Sequence, residues 1–140
     1  LHTNVAWGGH NFHLASVYLP SGDPAGQRAF IAERIQPLLQ SQRGRVLLGG
    51  DFNFVPDPCG LDRHSANPSQ DRTTEQSTAR AMAEVCERYG MVDVVRRRHP
   101  GARQWTFAHA ASAAMARLDR WYAPCAALPH VMRCHAEGVP

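Results

Sequence analysis

The stretch Val46-Leu47-Leu48-Gly49-Gly50-Asp51-Phe52-Asn53-Phe54 is an apolar run that breaks at two glycines and then presents a carboxylate and a carboxamide two residues apart. Such a run suits a strand buried on both faces. Residues i and i+2 on an extended strand project to one side, so the spacing predicts Asp51 and Asn53 facing one pocket, with Phe52 and Phe54 turned the other way into packing. The glycines leave room for close backbone approach at the strand's end. A carboxylate beside a carboxamide at a strand tip suits phosphate chemistry, although Gly-Gly-Asp also begins ordinary turns.

The pattern around this strand is that of an α/β layered chain. Val5-Ala6-Trp7 and Phe12 to Tyr18 read as a hairpin around Gly8-Gly9-His10-Asn11, and Pro20-Ser21-Gly22-Asp23-Pro24 is turn chemistry. A helical stripe follows in Phe30, Ile31, Ile35, Leu38 and Leu39; Pro37 should kink or restart it, and Gly44 closes it. Strand, helix and strand in that order suit an α/β fold. Val55 to Thr74, rich in Pro, Asp, Ser, Asn and Arg, reads as a long surface loop in which Asp57, Asp62 and Asp71 serve turns. Ala79, Met82, Ala83, Cys86 and Tyr89 predict a second helix that starts near Thr73 or Thr74 and ends at Gly90. Beyond it, Met91 to Val95 is expected to be extended and Arg96 to Arg103 a loop. Trp105-Thr106-Phe107 is expected to pair in a hairpin with Leu118 to Tyr122.

Three motifs stand in a fixed order: Tyr18-Leu19-Pro20, then Gly50-Asp51-Phe52-Asn53, then Arg117-Leu118-Asp119-Arg120-Trp121-Tyr122. In this they resemble the exonuclease-endonuclease-phosphatase superfamily, whose Tyr-x-Pro, Gly-Asp-x-Asn and Arg-Leu-Asp elements lie on strand ends around one metal site. The run from Leu48 to Pro58, continuing through Leu61-Asp62-Arg63, looks most like the endonuclease domains of non-LTR retrotransposons, with apurinic endonucleases as the nearest cousins. The resemblance implies a deoxyribonuclease-like two-sheet α/β sandwich with mixed strands and flanking helices. It also implies divalent-metal-dependent phosphodiester hydrolysis with Mg2+ or Mn2+, DNA as the substrate, and a reverse-transcriptase region in the same polyprotein as a partner. An apurinic-site repair endonuclease, a small-molecule phosphodiesterase and a non-catalytic relic that binds nucleic acid weakly are the alternatives.

By that resemblance Asp51 orients or deprotonates the attacking water, and Asn53 holds the water or a phosphate oxygen. Tyr18 contacts the scissile phosphate, Asp119 orients a catalytic histidine, and the Thr106 hydroxyl lies near the DNA. Read without the resemblance, Asp119 pairs with Arg117 or Arg120, Tyr18 is an amphipathic core residue, and Thr106 is an ordinary strand threonine. The family's metal-binding Glu on N-terminal strands and its Ser-Asp-His segment do not occur in this chain. Residues 1–140 are therefore expected to be an incomplete domain that contributes no metal-ligating Glu and has little activity alone. His130 and His135 lie outside any Ser-Asp-His and read as surface or packing residues.

Composition sharpens little beyond this. A chain of 140 residues with 44% hydrophobic content can bury one core. Lysine is absent, so the formal charge of +3 rests on arginine, a bias that coding composition explains as well as phosphate recognition does. The dense run Arg96-Arg97-Arg98-His99 reads as a solvated helix end or turn. Cys59, Cys86, Cys125 and Cys134 lack zinc-type spacing, which points to reduced thiols in a reducing, intracellular compartment, and the retrotransposon resemblance implies a nuclear one. No stretch is apolar enough to span a membrane.

Overall fold

The computed structural model describes residues 2–7, 9–56, 60–64, 72–110, 113–131 and 133–134. The expectations placed on Asp57, Cys59, Asp71 and His135 lie outside them. A hairpin of β1 (His2–Trp7) and β2 (His10–Tyr18) opens the chain, with Gly9 in the left-handed region at φ 79° in its turn. β2 then pairs in parallel with β3 (Val46–Asp51). Parallel neighbours need a crossover, and a helical one spans Pro24 to Ser41 as α1 (Pro24–Phe30), a π-helical turn (Ile31–Ile35) and α2 (Gln36–Ser41). Pro37 accounts for the wide turn: it has no N–H to donate and its ring would strike the carbonyl four residues back, so the helix widens and restarts.

β8 (Asp119–Pro124) runs antiparallel to both β3 and β5 (Met91–Asp93), giving a mixed five-stranded sheet in the order β1-β2-β3-β8-β5. A second, small sheet joins β4 (Arg63–His64), β7 (Met115–Ala116) and β6 (Phe107–Ala108). α3 (Arg72–Tyr89) lies with the crossover helix on one face of the large sheet. Ile31, Ile35, Leu39, Met82 and Val85 close there over Ala15, Val17, Leu48 and Tyr122 to form the core. The other face leaves Val5, Tyr18 and Trp121 exposed. The chain is thus α/β, with mixed strands and flanking helices.

Three local expectations need correction. Val94–Arg98 is a short helix (α4) and not extended chain, because Asp93 caps it by accepting a hydrogen bond from the Arg96 N–H. Phe107–Ala108 pairs with Met115–Ala116, whereas Asp119–Pro124 leaves that hairpin to join β3. Ala83 is exposed; Thr78, Met82 and Val85 supply the buried stripe of α3.

Candidate functional site

The pairing register brings three of the expected site residues onto one rung. Tyr18 pairs with Asp51 across β2 and β3, and Asp51 pairs with Asp119 across β3 and β8. Side chains directly opposite on neighbouring strands share a face, so a phenol and two carboxylates stand side by side on the open face at one end of the sheet. Tyr18 is 66% exposed, Asp119 is exposed and Asp51 is half-buried.

Both glycines before Asp51 are dictated by close approach. A Cβ on Gly49 would meet the Trp121 indole at 2.6 Å, and Gly50 sits at φ 141° where a Cβ would strike the Val17 carbonyl oxygen. Asn53 reaches the site in a way that strand alternation does not describe. β3 ends at Asp51, and Asn53 takes the left-handed conformation at φ 49°. There its backbone N–H donates to Asp51 Oδ1 at 2.8 Å, and its Nδ2 donates to the Leu19 carbonyl at 2.7 Å. Asparagine tolerates this region better than most residues because its side chain bonds locally. Nδ2 carries two hydrogens, so one donor remains beyond the bond to Leu19.

The loop from Asp51 to Phe54 is tied on every side. Leu19 N–H donates to Asp51 O and Phe52 N–H donates to Leu118 O, both at 3.0 Å. Phe52 and Phe54 are fully buried in the core, as expected, although β3 itself ends at Asp51. Arg120 lies under them: its guanidinium carbon is 5.0 Å from the Phe52 ring centre and 4.3 Å from that of Phe54, and Nη2 donates to the Phe54 carbonyl at 2.7 Å. Arg120 Nε and Nη1 have no hydrogen-bond partner among the described residues, and the aromatic faces stand in for one.

Burial raises the Asp51 pKa above its ordinary value; the Asn53 N–H works against the rise, Asp119 across the rung adds to it and Arg120 beneath opposes it. Among the described residues Asp119 forms no ion pair with Arg117 or Arg120, because both are buried and point into the interior, away from the exposed Asp119. Its backbone N–H donates to Thr106 Oγ1 at 3.0 Å, as does that of Leu118. Two N–H groups on one hydroxyl oxygen occupy its acceptor positions and leave the Thr106 O–H as a donor. Thr106 and Asp119 line a cavity of about 530 Å3 with Ser16, Gly49 and Trp121, whereas Tyr18, Asp51 and Asn53 lie outside that lining.

Sequence reasoning passed over Asp62. It lies in a turn, as expected, but is buried there: Oδ1 accepts from Arg117 Nε at 2.7 Å and from Arg96 Nη2, and its carbonyl accepts the Arg117 N–H. Arg117 Nη2 also forms an ion pair with Asp93 at 2.8 Å. Burial alone would raise the Asp62 pKa, but Arg117 and Arg96 outweigh it and hold the carboxyl below its ordinary value. Within the Val55–Thr74 stretch the Leu61-Asp62-Arg63 cue marks Asp62 without indicating that it is buried. The usable signal was Arg117, a charged residue two positions before Asp119 that needed a partner once buried.

A divalent ion fits the chemistry of the rung in part. Two carboxylates, a carboxamide and a phenol form an all-oxygen donor set suited to Mg2+ or Mn2+, which use one or two carboxylates and retain water. Among the described residues no group of three or more His, Cys, Asp or Glu could hold a metal. Within this set Asp51 and Asp119 are the anionic oxygens that would face the ion.

A family model described as Endonuclease/Exonuclease/phosphatase family matches residues 2–131. No curated protein sequence matches the chain. Among solved structures, the AP endonuclease LMAP from Leishmania major superposes with a TM-score of 0.72 at 17% identity, over 96% of this chain and 48% of its own. The 3' phosphatase NExo from Neisseria, bound to a product DNA hairpin, gives 0.63 at 17% identity over 84% and 50%. The endonuclease domain of TRAS1, a telomere-specific non-LTR retrotransposon, gives 0.59 at 13% identity over 92% and 52%. The chain thus spans about half the length of the structures it resembles, and at these identities they share its fold.

Proposed function

The chain belongs to the Endonuclease/Exonuclease/phosphatase family, and on that premise we propose that it is the site-bearing half of a DNA-nicking endonuclease of a retroelement. The observation that carries the reading is the rung of Tyr18, Asp51 and Asp119 with Asn53 folded beside it.

In this reading Asp51 aligns the attacking water and accepts its proton. A carboxylate whose proton affinity is raised by burial and by a second carboxylate is better matched to that task than a free one. Asn53 uses its remaining amide hydrogen on a nonbridging phosphate oxygen without adding repulsion. The exposed Tyr18 hydroxyl donates to the same phosphate. Asp119 accepts from an imidazole supplied outside these residues and fixes its tautomer. The Thr106 O–H is directed at the DNA backbone. When bound, Mg2+ or Mn2+ supplies positive charge against the phosphate. Residues flanking this stretch complete the site and cover the face that carries Trp121. The chain's span of about half of its structural neighbours supports that step. A nuclear location and a reverse-transcriptase region in the same polyprotein belong to the same reading. Among the described residues no helix is long and apolar enough to cross a membrane.

The test is nicking of supercoiled plasmid by the full-length protein with Mg2+ or Mn2+. Nicked circles are expected, EDTA is expected to suppress them, and residues 1–140 alone are expected to give few. Preference for a duplex carrying an abasic site would move the reading to a repair endonuclease. Metal-independent nicking by the full-length protein, or robust nicking by residues 1–140 alone, would overturn this description of the site.

A further inference from the structure

We propose that Gln27 is a positioning residue that locks the Tyr18–Pro20 loop and the Asp51–Asn53 loop into one catalytic arrangement. Gln27 lies on α1, 26 positions from Asn53 in sequence, and is 2% exposed. Its Nε2 donates to the Pro20 carbonyl and to the Asn53 carbonyl, both at 2.9 Å. Both hydrogens of one primary amide are therefore spent on the backbones of the two motif loops. A buried amide that no packing argument requires is retained where its bonds hold something in place.

What it holds is identifiable. Asn53 stands at φ 49°, a conformation non-glycine residues adopt only where their surroundings enforce it. Three bonds enforce it here: the Asn53 N–H to Asp51, the Asn53 amide to Leu19, and the Asn53 carbonyl to Gln27. The first two fix one edge of that peptide turn, and among the described residues Gln27 is the side chain that reaches its carbonyl. Through Pro20 the same side chain sets the exit of β2, two residues after Tyr18. The backbone of α1 presents Gln27 rigidly, since Asp23 caps the helix through the Gly26 N–H at 2.9 Å and the Gln27 N–H returns to the Asp23 carbonyl. The chemistry demands two donors and no charge. A glutamate would set a carboxylate against two carbonyl oxygens, and methionine would fill the space and bind neither.

The inference deepens the proposed phosphodiesterase site and rests on it for its consequence, while the clamp itself is observable without activity. In the wild-type chain, NMR is expected to show slow exchange of both Gln27 side-chain amide hydrogens and trans-hydrogen-bond couplings to the Pro20 and Asn53 carbonyls. Rapid exchange with no such coupling would overturn the clamp. In the full-length protein, Gln27→Met is expected to fold with an unchanged urea m-value, to shift the Asn53 and Leu19 resonances, and to lower kcat for duplex nicking by roughly 10- to 100-fold with KM within about twofold. Gln27→Glu is expected to lose at least as much. If Gln27→Met keeps its kcat, positioning by Gln27 is refuted and the phosphodiesterase reading stands. If the wild type cleaves nothing while the couplings and the Asn53 shifts appear, the clamp stands and the phosphodiesterase reading falls.

Discussion

Asp51 and Asp119 meet across β3 and β8 on the open face at one end of the sheet, whereas Asp62 and Asp93 lie among Arg96 and Arg117 in the interior. The residue types are the same and the settings opposite. In the interior each carboxylate faces a guanidinium, so the Asp62 pKa sits below its ordinary value. On the rung the pKa of Asp51 sits above its ordinary value, chiefly through burial, with the facing Asp119 carboxylate adding to the rise. Like charges placed directly opposite cost stability, and a fold tolerates them where they serve chemistry. The interior cluster does the reverse: it fastens β4, β5 and α4 to the residue that leads into β8, and so fixes where Asp119 emerges.

This contrast is most easily broken at its ends. Asp51→Asn in the full-length protein keeps shape and removes the charge that accepts a proton. Nicking is expected to fall by roughly two to four orders of magnitude, with a urea midpoint at neutral pH equal to or slightly above the parent's. A variant that nicks within a factor of a few of its parent removes Asp51 from the chemistry.

At the interior cluster the effect is expected in stability. Arg117→Met leaves Asp62 and Asp93 buried without their shared partner, and removing one member of a buried pair costs about 3–5 kcal/mol. Urea unfolding with an unchanged m-value is the measure, and a loss below about 1 kcal/mol would mean the cluster is not stabilising the fold as described.

Acid titration sharpens the difference through its sign. Asp62 has a folded pKa below its ordinary 3.8, so its contribution is complete above about pH 4 and is lost as pH falls through the folded value. Asp51 has a folded pKa above 3.8, so the folded state binds the proton more tightly and gains stability as pH falls toward that value. Asp51→Asn is accordingly expected to flatten the stability profile just above pH 4, and Asp62→Asn to flatten it below. The smallest effect belongs to a pair with neither burial nor opposition. Arg80 and Glu84 form an ion pair across one turn of α3 with side chains 84% and 62% exposed, and Glu84→Gln is expected to change stability by no more than about 0.5 kcal/mol.

How much of this was readable in advance depends on the range of the interaction. The β1–β2 hairpin, the helix broken at Pro37, the glycine stops at Gly44 and Gly90, and the buried Phe52 and Phe54 follow from periodicity and turn chemistry within a few residues. The short helix at Val94–Arg98 was missed because a single capping bond from Asp93 outweighs the β-branched pair that begins it. The partner of Asp119–Pro124 was misassigned because strand pairing is decided between distant segments, and the local pattern fits either hairpin or sheet.

The amino-acid order alone determined that Gly50-Asp51-Phe52-Asn53 ends an apolar strand, that Tyr18 ends another and that Asp119 lies near the start of a third. Local propensity, side-chain alternation and the steric freedom of glycine act within that range. Only the tertiary structure decided that the three strand ends lie on one rung, that Asn53 turns left-handed to join them, and that Gln27, Arg120 and Asp62 hold them from below and behind. Those outcomes rest on burial. A buried donor or charge must find its partner wherever the fold brings one, and the partner's place in the chain carries no local signal.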